Sequence, residues 1–282
     1  MYQYGNILGM DRPTPKSLVL DILSSVRGQS VPIAALVEAS ALFGLAENSL
    51  RVTATRLLAA GRIERDGRGR YRLSAPSLAV DEQVRAWRTR ESRLRPWKRG
   101  WVGVHHRPSA REAQALSLLG FASFRPGLFL RPDNWKGGAM RVRADLLRLG
   151  LSDEALVHGI AELAPGDQAD ASALWDTAAL LAGYAAAREA LRAGERTLAH
   201  LPEAEAMVES FGLGGRVIRL LALDPLLPEE LVPAAPRRAL TRALRSYDEA
   251  GRRAWAGFMA RHGAPHLRAP NHGANERALL PV

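Results

Sequence analysis

Residues 47–73 read ENSLRVTATRLLAAGRIERDGRGRYRL, and this stretch decides the fold. In its first half, Leu50, Ala54, Leu57 and Leu58 recur at helical spacing, while Asn48, Arg51, Val52, Thr53, Thr55 and Arg56 cover the other side. Gly61 ends that helix. The period then drops to two: Ile63 and Arg65, the turn Asp66-Gly67-Arg68-Gly69, and Arg70-Tyr71-Arg72-Leu73. Asp-Gly between short alternating runs is a hairpin signal. Upstream, Thr14-Pro15 caps a helix with Leu18, Ile22 and Val26 on one face and Val19 and Leu23 beside them, ending at Arg27-Gly28. A second helix starts at Pro32, carries Ile33, Leu36, Val37 and Ala41, and stops at Phe43-Gly44. Three helices followed by a basic hairpin predict a winged helix-turn-helix within residues 1–80. In that arrangement the third helix enters the major groove and short polar or Arg side chains near its start reach base edges. The candidate DNA contacts are Asn48, Ser49, Arg51, Val52, Thr55 and Arg56 on the helix, with Arg65, Arg68 and Arg70 of the hairpin on phosphates.

The charge pattern points the same way. The chain has 282 residues and a net charge of +10. Residues 1–80 hold 10 Lys/Arg against 6 Asp/Glu, and residues 81–100 hold 7 against 3. Residues 101–170 balance at 8 against 8, and residues 171–260 at 11 against 11. A basic end on a neutral body is the footprint of a polyanion-binding module. Apolar residues make up 47% and charged residues 24%, enough to build a packed core. Cys is absent, which excludes disulfides, thiolate nucleophiles and Cys-ligated zinc. Met1 to Thr14 is polar, without the apolar stretch of a signal peptide, and no apolar run approaches a membrane span. The expectation is a soluble cytoplasmic protein with no membrane contact.

Residues 81–100 form a basic linker: Arg85, Arg88, Arg90, Arg93, Arg95, Lys98 and Arg99, interrupted by Trp87 and Trp97. This is either a second phosphate-contacting surface or an interdomain hinge, with the Trp residues structural. Residues 101–170 read strand (Trp101–His106), helix (Ser109–Leu119), two short strands around Pro126-Gly127, helix (Gly138–Leu149) and strand (Glu154–Leu163). This βαββαβ order predicts a ferredoxin-like middle domain. Residues 171–262 predict a helical domain: an Ala-rich helix over 174–192, another from Glu203 to about Phe211, and a last one over about 237–261. Gly212-Leu213-Gly214-Gly215 has neither the preceding strand nor the spacing of a dinucleotide loop, so a break in the chain is expected there. Residues 224–233, DPLLPEELVP, read as a rigid loop, and residues 263–282 as a flexible tail. His105 and His106 point to opposite faces of a strand, and His262 and His266 sit in a Gly/Pro-rich tail. No metal site is expected from either pair.

The chain resembles the PaaX family of bacterial transcriptional regulators, named for the phenylacetic-acid degradation repressor. The match rests on 224–233, on Phe43-Gly44-Leu45, on Arg51 and Arg56-Leu57, and on Gly120-Phe121 with Pro126-Gly127-Leu128. It covers about residues 14–260. The resemblance implies an α+β chain: an N-terminal winged helix, a middle domain related in fold to Cas2 and a C-terminal helical domain. It also implies a homodimer and an acyl-CoA effector, phenylacetyl-CoA or another.

The expected function is therefore a non-enzymatic, homodimeric repressor of an aromatic-acid catabolic operon. It would bind double-stranded operator DNA without a cofactor and be released by the acyl-CoA. The Arg/Trp-rich run Arg95, Trp97, Lys98, Arg99 and Trp101 is the candidate effector site, since cations suit phosphates and an apolar slot suits an acyl group. The rival is a Cas2-like metal-dependent nuclease. It needs carboxylates at a strand end, where this chain has His105-His106-Arg107. An acyl-CoA-binding enzyme finds no support in a Gly-x-Ser-x-Gly motif or a His-Glu pair.

Overall fold

The computed structural model describes residues 13–264 except Arg27 and Arg68. The architecture is α+β, largely helical, with two antiparallel sheets. The first part comprises α1 (Pro15–Ser25), β1 (Val31–Pro32), α2 (Ile33–Leu42), α3 (Glu47–Ala59), β2 (Ile63–Arg65) and β3 (Arg70–Leu73). The Thr14 side chain accepts from the Ser17 backbone N–H and caps α1. Leu18, Val19 and Leu23 of α1 close against Leu36, Leu50 and Leu57. β2 and β3 pair with Ile63 opposite Leu73, and the Asp66 N–H donates to the Arg70 carbonyl across the turn. The two-residue strand β1, which the sequence pattern did not reveal, adds to the far side of β3 and gives the order β1-β3-β2.

α4 (Ala75–Arg85) runs directly out of the hairpin, and two 3₁₀ turns follow, Ala86–Arg88 and Arg90–Arg93. The basic linker is thus folded chain, and the boundary at residue 80 falls inside a helix. Next come β4 (Trp101–His105), α5 (Ala110–Leu118), β5 (Ala122–Arg125), β6 (Leu128–Pro132), α6 (Gly138–Arg148) and β7 (Leu156–Ile160). They form an antiparallel sheet of order β5-β6-β4-β7. Val102 and Val104 face a core with Leu116 of α5 and Val142 and Leu146 of α6. Trp101, one residue out of phase, enters a separate cluster on the opposite face with Trp97 and Leu130. Ser109 and Glu112 complete a capping box at the start of α5.

The last part holds α7 (Pro165–Ser172), α8 (Thr177–Leu198), α9 (Glu203–Ala222) and α10 (Ala234–Arg261). The break expected at 212–215 does not occur, and α9 runs through all three glycines. Each interior Gly costs a helix about 1 kcal/mol relative to Ala. Gly214 lies under the Tyr247 ring, and the Leu213 side chain sits where a Cβ on Gly194 of α8 would be only 2.7 Å away. Local signals read these glycines as stops, yet α9 continues through them, with only Gly214 in contact with another helix, at Tyr247.

Two of the segments that carry the family resemblance, Gly120-Phe121 and 224–233, meet in space. Gly120 has φ +76°, and a Cβ there would lie 2.7 Å from Pro225 Cα and 2.8 Å from its carbonyl oxygen. Asp224 is buried, accepts from the Tyr184 hydroxyl, and takes the Leu226 N–H at 2.7 Å. Asn134 Nδ2 donates to the Leu226 carbonyl at 2.7 Å. The 224–233 loop is therefore a clasp between the sheet unit and the helical bundle. Buried arginines complete it. Arg90 donates to the Leu221 and Ala222 carbonyls at the end of α9 and to the Leu118 carbonyl at the end of α5. Arg131 donates to the Leu119 carbonyl and to Asn134 Oδ1. Both guanidiniums thus lie at the negative ends of helix dipoles. Burial lowers their pKa values, to about 10 for Arg90 and about 9 for Arg131, which leaves both charged at neutral pH.

Candidate nucleic-acid interface

α3 is held from below by Leu50, Ala54 and Leu57, all buried. This fixes the opposite face outward: Asn48, Ser49, Arg51, Val52, Thr55 and Arg56 are all exposed. They recur at three- and four-residue spacing and so line one stripe of the helix. Val52, with 41% of its surface exposed, is an apolar spot within a polar stripe, of the kind that meets a thymine methyl. Arg51 Nε lies 2.7 Å from Glu47 Oε1 in an open ion pair, worth no more than about 1 kcal/mol, so a stronger partner can take the guanidinium. The Thr55 hydroxyl donates back to the Arg51 carbonyl at 3.1 Å. No side chain caps the start of α3, which leaves its first N–H groups to water or an anion. Arg56 has no ion-pair partner among the described residues.

On the hairpin, Arg65 is exposed at the end of β2. Arg72 adds a further cation but is paired with Glu64 at 2.6 Å. Arg68 lies outside the described residues. Arg70 does not join the exposed set. Its Nε donates to Ser30 Oγ at 3.0 Å, and its Nη2 reaches the Ser30 carbonyl at 2.9 Å and the Gly263 carbonyl at 3.4 Å. The antiparallel pairing of β1 with β3 places Arg70 opposite Pro32 and so beside Ser30, a neighbour the hairpin pattern alone does not reveal.

The structure also separates the members of the candidate effector run. Trp97 and Trp101 are buried, their rings packed edge to face with centroids 5.3 Å apart, and Trp101 lies parallel to Trp175 at 6.2 Å. Trp97 Nε1 donates to the Gly100 carbonyl, and Trp101 Nε1 to Gln168 Oε1. Arg95 pairs with Asp133 at 2.6 Å, while Lys98 and Arg99 are exposed. The cations and the apolar rings face different ways, so they build no common slot. In the rest of the linker, Arg88 pairs with Asp248, Arg85 donates to the Ser24 carbonyl, and Arg90 is internal. Its charge is largely spent inside the protein, not presented to phosphates.

His106 and His262 have structural partners. His106 Nε2 lies 3.0 Å from Glu112 Oε1, and His262 Nε2 lies 2.9 Å from Glu38 Oε2. His266 lies outside the described residues. Glu112 accepts from the Ser109 backbone and hydroxyl and from the Ser152 N–H, and these bonds hold its pKa down to about 2.

The unit formed by α1 to β3 is not an isolated module. Phe43, at the turn before α3, packs on Phe211 of α9 with centroids 5.1 Å apart. Met207, Phe258 and Met259 belong to the same buried cluster as Leu18 and Leu50. Between α1, α4, α5, α9 and α10 lies a cavity of about 490 Å³ that the sequence did not announce.

Among the described residues, no helix is long and apolar enough to cross a membrane. No curated protein matches the chain. The uncharacterized protein Rv0674 from Mycobacterium tuberculosis is similar over 87% of this chain and 99% of its own, with 26% identity and a TM-score of 0.51. Residues 14–77 match the model of the family described as PaaX-like protein. That span runs from the cap of α1 past β3, so the resemblance to the PaaX regulators is shown over the segment that presents the exposed α3 stripe.

Proposed function

We propose that the chain is a transcriptional regulator that binds double-stranded DNA through α3 and the β2–β3 hairpin, in the manner of a winged helix. The observation that carries this reading is the exposed stripe Asn48, Ser49, Arg51, Val52, Thr55 and Arg56 within the PaaX-like segment. Arg51 and Arg56 read base edges, while Arg65 and the uncapped start of α3 sit on phosphates. The remainder has a ferredoxin-like middle domain and a C-terminal helical domain, and it acts as a dimer on a pseudo-palindromic site in the cytoplasm. Two half-sites then lie about 34–36 Å apart, or a multiple of that. The regulator is a repressor of an aromatic-acid catabolic operon released by an acyl-CoA, as the family resemblance suggests. The order of its sheet, β5-β6-β4-β7, supports the ferredoxin-like assignment.

The test is binding to duplexes selected from a random pool, measured by fluorescence anisotropy across a salt series. Arg51→Ala should weaken the selected duplex by about 1–3 kcal/mol and relax its preference. Arg65→Ala should weaken all duplexes alike and reduce the salt slope by about one. Failure to select any duplex, or variants that bind as the parent does, would refute the assignment.

A further inference from the structure

The cavity of about 490 Å³ has the size of a small-molecule site. Its walls come from every part of the chain: Asp21 and Ile22 of α1, Val84 of α4, Leu118 of α5, Ile218 of α9 and Trp255 of α10. Most of that surface is apolar, and Asp21 and Arg219 are two of the charged groups that line it. Arg219 is exposed and has no ion-pair partner within 4 Å among the described residues. Asp21 is also exposed, yet dehydration by the protein around it raises its carboxyl pKa to about 6. The two facts agree if Asp21 faces the cavity and not open solvent. Gly215 of α9 lines the same space, and a Cβ built on it meets nothing within 4 Å. The third glycine of the 212–215 run thus holds volume open where a side chain would fill it.

We infer that this cavity binds a small amphiphilic anion, its apolar ring or chain among Ile22, Ile218 and Trp255 and its acid group on Arg219. Such a ligand touches α1 of the DNA-reading unit and, at once, the helices on which that unit is docked. Bridging the two, it favours one seating of α1–α3 over another, and any ligand with unequal affinity for the two seatings shifts DNA binding. This regulatory consequence rests on the DNA-binding reading, whereas the site itself does not. Protonation of Asp21 leaves Arg219 facing the ligand uncompensated, so the anion binds more tightly at pH 5 than at pH 8. Asp81 of α4 also acts on Asp21, and the other charged groups that line the cavity are Arg85 of α4, Arg88, and Asp248 and Arg252 of α10, an ion pair at 2.8 Å.

The probe is 8-anilinonaphthalene-1-sulfonate, whose sulfonate stays ionised throughout, compared with the neutral N-phenyl-1-naphthylamine. On the full chain, the sulfonate should bind at one site, at least tenfold tighter than the neutral dye, with energy transfer from Trp255 and Trp87, which both line the cavity, so that Trp255→Phe lowers the transfer without removing it. Gly215→Leu should abolish the binding, and Arg219→Gln should erase the advantage of the sulfonate. Asp21→Asn should flatten the pH dependence. Near-ultraviolet circular dichroism of each variant reports the fold, and Gly215→Ala gives a graded loss if the Leu variant does not fold. Unchanged binding in Gly215→Ala and Gly215→Leu, or equal affinity for both dyes, would overturn the site. A saturating dye that leaves DNA affinity unchanged would overturn the coupling. Failure of the chain to bind any duplex, with the dye site intact, would overturn only the DNA-binding reading.

Discussion

Replacing Gly120 by Ala tests the clasp between the sheet unit and the bundle. Two costs add. The left-handed conformation at φ +76° costs a residue with a Cβ about 1–2 kcal/mol. The new methyl also lands 2.7 Å from Pro225 Cα and 2.8 Å from its oxygen, backbone atoms that cannot swing aside. Overpacking of this kind costs about 1–3 kcal/mol. The expected loss is therefore about 2–5 kcal/mol. Gly67 is the internal control: its φ is +77°, but nothing lies within 4 Å of a built Cβ. Gly67→Ala should lose only the conformational part, about 1–2 kcal/mol. Urea unfolding followed by far-ultraviolet circular dichroism gives both values, with m unchanged. A difference between the two variants below about 0.5 kcal/mol would show that the approach of Pro225 contributes nothing, and the clasp argument would fail.

Two further outcomes follow from the same contacts. Arg90→Ala strands the buried carbonyls of Leu118, Leu221 and Ala222, and urea unfolding should show a loss of at least about 3 kcal/mol. Glu112 is held ionised in the folded state, so the stability it contributes is complete above the ordinary value near 4.5 and drains away as pH falls toward about 2. Glu112→Gln should therefore be less stable than the parent at neutral pH and converge with it in acid. A constant gap across that range in thermal melts would refute the account.

The exposed α3 stripe was legible because it depends on local periodicity: Leu50, Ala54 and Leu57 name the buried side, and the opposite side follows. The hairpin was legible for the same reason, through Asp66-Gly67 between alternating runs. Two of the candidate site residues are engaged by partners distant in sequence, which no local pattern reveals. Arg70 is drawn off by Ser30 and Gly263, and Trp101 is closed in by Trp97, Trp175 and Gln168. An arginine reads as surface charge in a sequence, yet Arg90 and Arg131 are internal and donate to helix-end carbonyls.

By itself the sequence determined the order of most helices and strands, the basic N-terminal end, and which face of α3 stays exposed. Each of these depends on residues within a few turns of one another. Only the tertiary structure decided that the 212–215 glycines continue a helix, that Gly120 meets Pro225, and that Arg85, Arg88 and Arg90 of the linker turn inward. It alone decided that a cavity opens between α1, α4, α5, α9 and α10. The physical reason is common to all four: they depend on the approach of chain segments far apart in sequence, where close packing and the pairing of buried polar groups override local propensity.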